Sequence, residues 1–146
     1  MKKKILILAT FIILSAGGAF AGPRDISKTV QAVFNSTFAN ATNVNWQNYS
    51  SYYSASFQLD GRSYNALFSK DAEMIAVSRN ILSSELPADL QTLLINHFST
   101  CWISELVKYD IGGETKYYAT VENANQKTIL ESFGGAEWSV LKETAK

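Results

Sequence analysis

Apolar residues recur at helical spacing in two segments of the chain. In residues 25–39, apolar residues lie four, seven, eight and twelve positions after Ile26; they are Val30, Val33, Phe34 and Phe38. This spacing places them on one face of a helix. The second segment follows Pro87, which suits the first turn of a helix, and its apolar side consists of Leu86, Leu90, Leu93, Leu94 and Phe98. The pattern therefore predicts two amphipathic helices.

After each helix the apolar period changes to two, which is typical of strands that bury one face. Tyr53, Ala55 and Phe57 alternate with polar residues, and the hairpin signal Asp60-Gly61 then leads into a similar strand. The alternation and the turn signals predict eight strands, over residues 43–47, 52–59, 63–69, 73–79, 102–109, 115–122, 127–133 and 136–143.

The predicted order is one helix followed by four strands, twice. Short connections between the strands require antiparallel pairing, and one amphipathic helix for each meander favours an α+β fold with the helices packed on one face of the sheet. Single-residue matches at an offset near 64, such as Ala72-Glu73 over Ala136-Glu137, indicate a duplication. We therefore predict two tandem helix-plus-four-strand units, over about residues 25–80 and 86–143. Whether they share one continuous sheet stays open.

The first residues of the chain have the pattern of an export signal. Lys2, Lys3 and Lys4 precede an apolar run over residues 5–14, and Ala19-Phe20-Ala21 provides small residues for cleavage. The run is shorter than the roughly 20 residues that a spanning helix needs. We predict a signal peptide over residues 1–21, cleavage near Ala21, a mature domain over residues 22–146 without a membrane span, and a periplasmic or secreted location.

The charge balance argues against a nucleic-acid partner. The whole chain has 13 basic and 13 acidic residues, and the predicted signal peptide removes three lysines. The mature part is therefore slightly acidic, whereas nucleic-acid-binding domains carry basic patches.

Residues suited to catalysis or metal binding are few. The chain has one histidine, His97, and one cysteine, Cys101. A helix continuing through both would place them on one face, so a Cys/His enzyme is a remote alternative, although residues 98–100 resemble a helix end. Zinc sites need several Cys or His ligands, and the acidic pair Asp110 and Glu114 is too sparse for a calcium loop. We predict a non-enzymatic protein without a metal or cofactor.

Several of these positions resemble a known family. Phe38, the Val44-x-Trp46 strand, the Tyr64-x-Ala66-x-Phe68 strand and Leu86-Pro87 at the start of the second helix are similar to the PepSY-like, β-lactamase-inhibitor-like (BLIP-like) proteins. These are small exported proteins of Gram-negative bacteria. The resemblance spans the mature chain and implies tandem helix-on-sheet units and a binding or inhibitory role. It implies no catalytic residue.

The sheet face opposite the predicted core is the candidate partner-binding face. Tyrosine together with small polar residues is typical of adaptable protein-binding surfaces, although an antiparallel sheet also commonly leaves one face in water. The predicted residues of this face are Tyr52, Ser54, Ser56, Gln58, Asn65, Lys116, Tyr118, Thr120 and Glu122.

Two functional classes remain beside the remote enzyme. The first is an exported binding module for a protein or peptide of unknown identity, which uses this face. The alternative is an envelope-stress protein or a carrier of a small apolar ligand between helices and sheet, which requires a cavity of several hundred Å³.

Overall fold

A computed structural model describes residues 25–146, so the predicted signal peptide lies outside the described residues. The described chain contains two α-helices, α1 (Lys28–Thr37) and α2 (Ala88–His97), and a short 3-10 turn at Ser83–Glu85. Its eight strands are β1 (Thr42–Asn48), β2 (Tyr52–Leu59), β3 (Arg62–Ser69), β4 (Met74–Asn80), β5 (Trp102–Ile111), β6 (Glu114–Glu122), β7 (Gln126–Phe133) and β8 (Ser139–Ala145).

All eight strands belong to one antiparallel sheet, in which their spatial order follows the chain from β1 to β8. The β2–β3 hairpin has the predicted Asp60-Gly61 turn, and both residues have positive φ values, 50° and 74°. Such a turn matches the twist of the flanking strands and favours glycine.

The arrangement of the strands corrects the predicted α+β fold class. The chain does not form two tandem helix-plus-four-strand units, because β4 pairs directly with β5 from Ala76↔Ile111 to Asn80↔Val107. Pairing satisfies the backbone N–H and C=O groups that two separate sheet edges would leave open. Within residues 25–146 the result is one open eight-stranded sheet with only two short α-helices; 52% of these residues are in strands and 20% are helical.

The core lies between this sheet and the helices, all on one sheet face. Under α1, Val30 and Phe34 pack against Ala55, Phe57 and Phe68 of β2 and β3. Under α2, the buried residues are aliphatic, including Leu90, Leu94, Leu106, Ala119, Val121 and Leu130, and the partly buried Phe98, Tyr117 and Trp138 pack against them. Cross-strand pairs such as Val77↔Asp110 and Leu106↔Ala119 place both clusters on the same side of the sheet, since directly paired residues share a face.

An ionic cluster fixes the segment that connects β4 to α2. Glu85 accepts hydrogen bonds from Arg62 of β3 at 2.7 Å and from Arg79 of β4 at 2.9 Å. The Leu82 backbone N–H, followed by Arg62, lowers the pKa of Glu85 to about 2. The segment before α2 is thereby tied to strands that lie under α1. Neither described helix has the length and apolar character needed to cross a membrane.

Candidate partner-binding face

The side of the sheet that points away from α1 and α2 is called the open face here. Within residues 25–146 both helices pack on the other side. Alternation along β2 and β6 and the pair Ser56↔Asn65 place all nine predicted residues on the open face. Of these, Ser54 and Thr120 are buried, Ser56 and Gln58 are exposed, and the rest are half-buried.

The predicted residues fall into two groups on this face. On β2 and β3, the Ser54 hydroxyl donates to Asn65 Oδ1 and Asn65 Nδ2 donates to Ser56 Oγ, each at 3.1 Å. Gln58 accepts a hydrogen bond from Asn43 at 2.9 Å. Hydrogen bonds between neighbouring strands therefore hold this group in a fixed arrangement.

The second group follows β6. The Lys116 ammonium lies 4.0 Å from the centre of the Phe133 ring, and Glu122 pairs with Lys146 at 2.8 Å and Lys127 at 3.8 Å. Hydrogen bonds from Lys146 and then Ser104 lower the pKa of Glu122. Strands lie about 4.8 Å apart, so β6 is roughly 14 Å from β3 and the two groups do not touch directly.

Residues that the sequence prediction missed connect the two groups. A row of directly paired residues crosses the sheet from Asn65 to Ser78, Tyr109 and Lys116. Leu67, Ala76 and Val107 of the same face are buried. Alternation within β4 and β5 could have indicated which strand face Ser78 and Tyr109 occupy. Their position beside Asn65 and Lys116 follows only from the β4–β5 pairing.

Tyr109 and Tyr118 form the aromatic centre of the open face. Their rings meet edge to face, with centroids 5.2 Å apart and an interplanar angle of 75°. Burial, followed by the charge and hydrogen bond of Glu131, raises the pKa of Tyr118 to about 12. Burial also raises the pKa of Tyr109, and its cross-strand neighbour Ser78 opposes this shift. Both phenols are therefore protonated at neutral pH and can donate hydrogen bonds.

Tyr52 lies at the β1–β2 end of the open face. Its ring stacks on Tyr49 with centroids 4.6 Å apart. Burial, followed by the neighbouring Tyr49, raises the pKa of Tyr52.

The candidate catalytic pair is not brought together. Helix α2 ends at His97, and the Phe98 backbone N–H closes its last turn on Leu94. Cys101 is half-buried, and its Sγ accepts a hydrogen bond from Asn123 at 3.8 Å. Within residues 25–146 no hydrogen bond joins His97 to Cys101, and no cluster of three or more Cys, His, Asp or Glu side chains could hold a metal.

A groove lies on the helix side of the sheet. This groove of about 660 Å³ runs between α2 and the last two strands. It has the volume that the small-ligand alternative requires, and none of the nine predicted residues lines it.

Solved structures with a similar fold come from Bacteroides. A protein of Bacteroides eggerthii DSM 20697 described as periplasmic has a TM-score of 0.73 and 18% identity, over 82% of this chain and 88% of that chain. A DUF2874 family protein of Bacteroides uniformis ATCC 8492 has a TM-score of 0.72 and 17% identity, over 82% and 89%. A BLIP-like protein of Bacteroides fragilis NCTC 9343 has a TM-score of 0.65 and 21% identity, over 82% and 85%.

These similarities establish the fold. No family model and no curated protein sequence matches the chain. The BLIP-like part of the resemblance is confirmed at the level of the fold, and the PepSY-like part stays a prediction.

Proposed function

We propose that this protein is an exported, non-enzymatic binding module that holds a protein or peptide partner on its open face. The observation that carries the proposal is the Tyr109–Tyr118 pair, which lies on the central strands of that face beside Ser78, Lys116 and Glu131. Tyrosine buries a large area with few rotatable bonds, and its hydroxyl supplies directional hydrogen bonding. The chain is expected to act in the periplasm or after secretion.

The arrangement of the open face favours binding because its polar side chains are already fixed. Hydrogen bonds link Asn65 to Ser54 and Ser56, and Ser78 and Glu131 are direct cross-strand neighbours of the two central tyrosines. A surface that is ordered before contact loses little side-chain entropy on association. The likeness to a BLIP-like protein and to a protein described as periplasmic agrees with this proposal.

The test is capture of a partner from an envelope extract, with the retained protein identified by mass spectrometry and its affinity then measured with purified components. Replacing Tyr52, Tyr109 and Tyr118 by alanine, singly and together, should weaken binding of that partner. Removal of a central aromatic residue from an interface commonly costs about 2 kcal/mol or more, which is about thirtyfold in Kd.

The matched control is Ile95→Ala, because Ile95 is exposed on α2 on the other side of the molecule. Circular dichroism should show that each variant stays folded. Unchanged affinity in the triple variant, or an equal loss in Ile95→Ala, would remove the open face as the binding site.

A further inference from the structure

The groove beside α2 borders a core whose buried side chains differ from those under α1. Under α1, the Phe34 ring meets Trp46 and Phe57 with centroids 5.1 and 5.0 Å away, so aromatic side chains fill the space. The buried residues under α2 are aliphatic and smaller. The edge strand β8 is exposed along its whole length, and the Val140 side chain remains 57% exposed. The groove lies between α2 and this edge of the sheet.

Apolar side chains form the floor and one wall of this groove. Leu130 of β7, which is 1% exposed, lies at the floor, and Leu93, Phe98, Trp138 and Val140 line the sides. Trp138 is held in place because its indole Nε1 donates to the Leu90 backbone carbonyl at 2.9 Å. The wall is therefore ordered before any ligand enters, which lowers the entropic cost of binding.

The charged side chains of the groove are all acidic. Asp89, Leu93 and His97 follow one another at four-residue spacing on α2, so the helix places Asp89 along the groove. Glu137, between β7 and β8, contributes a second carboxylate, and no lysine or arginine lines the groove. Neither Asp89 nor Glu137 forms an ion pair with another residue of the described chain.

We propose that this groove is a second binding site, which takes a small amphiphilic cation. The apolar body of the ligand would lie against Leu130, Trp138 and Val140, and its ammonium group would sit near Asp89 and Glu137. The volume of about 660 Å³ falls within the usual range of small-molecule sites. Carboxylates beside an apolar wall favour a positive head group over a neutral or negative one. The inference does not depend on the open face.

The test uses three probes with the same alkyl chain and different head groups: decylammonium, decanol and decanoate. The two ionic probes are added to the ¹⁵N-labelled protein below their micelle concentrations, and decanol is added below its solubility limit. Binding of decylammonium should give saturable NMR shifts of the Trp138 indole N–H and of the Leu93 and Val140 amides. We expect decylammonium to bind about tenfold more tightly than decanoate, because the exposed carboxylates of Asp89 and Glu137 attract the ammonium group and repel the decanoate carboxylate.

Two variants separate the apolar and the charged parts of the site. The double variant Asp89→Asn with Glu137→Gln should keep decanol binding and lose the preference for decylammonium. Val140→Trp should fill the groove and abolish binding of all three probes. Ser139→Trp is the matched control, because Ser139 pairs with Glu131 on the opposite face of the sheet and should leave binding unchanged.

Three outcomes would overturn the proposal. One is the absence of saturable shifts around α2 and β8 with any probe. Another is equal affinity for decylammonium and decanoate. The third is self-association through β8 that competes with the probes, detected by sedimentation, which would assign the groove to a second copy of the chain.

Discussion

Tyr118 lies on the open face between Val107 of β5 and Glu131 of β7, its direct neighbours across the strands. Its partial burial disfavours the charged phenolate, and the nearby Glu131 carboxylate disfavours it further. The raised pKa of about 12 therefore reports both the packing of the ring and the negative character of its surroundings.

This pKa predicts how stability depends on pH in the alkaline range. An unfolded tyrosine titrates near 10, so the folded chain holds the Tyr118 proton more tightly than the unfolded chain. The resulting stability is present below pH 10 and is lost as the pH rises toward 12. Because solvent screens this half-exposed group, we expect its contribution to the free energy of unfolding to be about 1 kcal/mol.

Urea unfolding of the wild type and of Tyr118→Phe at pH 9 and pH 11.5 would measure this effect. The wild type should lose more stability than the variant between the two pH values. Tyr117→Phe, which changes the neighbouring residue on the helix side, is the control and should behave like the wild type. An equally steep loss in Tyr118→Phe would contradict the prediction.

At the scale of elements, α2 is positioned by contacts at its first turn. Gly135, in the turn between β7 and β8, is buried, and a Cβ atom built on it would lie 2.9 Å from Cγ of Pro87. Pro87 is the N-cap residue of α2. Close approach of this turn to a rigid proline ring therefore sets the distance between the start of α2 and the sheet.

Two glycines allow this contact to be tested separately from backbone strain. Gly135 and Gly113 have similar φ values, +82° and +86°, but a Cβ at Gly113 would meet nothing within 4 Å. Gly113→Ala should cost roughly 1–2 kcal/mol of unfolding free energy because alanine resists positive φ. Gly135→Ala should cost about 1–3 kcal/mol more because of the clash. Equal losses in urea unfolding would show that Pro87 moves aside.

The sequence predicts the individual elements better than it predicts how they meet. Period-two alternation locates β2 and β3 because it depends only on which side of a strand is buried, and Tyr53, Ala55 and Phe57 are buried as predicted. The β4–β5 pairing joins Ser78 to Tyr109 across 31 positions of the chain. Local periodicity carries no information on such a pair, so Ser78 and Tyr109 were missed as open-face residues. The acidic groove was missed for the same reason, since Asp89 and Glu137 come to line one groove only through the packing of α2 on the sheet.

At the scale of the whole molecule, one continuous sheet links two separate cores. The aromatic cluster under α1 and the aliphatic cluster under α2 have no buried residue in common. The β4–β5 ladder links them by backbone hydrogen bonds. Glu85 adds a second link, because it ties the segment before α2 to Arg62 and Arg79. The same ladder makes the open face continuous from Asn65 to Lys116.

The β4–β5 ladder pairs the backbone groups of the two strands where the halves of the sheet meet. We therefore predict that the two cores unfold as one cooperative unit. Trp46 packs against the first cluster and Trp138 against the second, so each reports on one core. Variants that retain only one of these tryptophans, with phenylalanine at the other positions, should show urea transitions with the same midpoint and slope.

Lys108→Pro should separate the two transitions, because Lys108 pairs with Arg79 in the middle of the ladder and proline cannot donate a backbone hydrogen bond. Lys142→Pro, in the edge strand β8, is the matched control, since β8 pairs only with β7. It should lower the stability near Trp138 without giving two resolved transitions. If the single-tryptophan variants with Lys108 unchanged showed different urea midpoints for Trp46 and Trp138, the continuous sheet would not couple the two cores energetically. The open face would then be built from two independently stable halves.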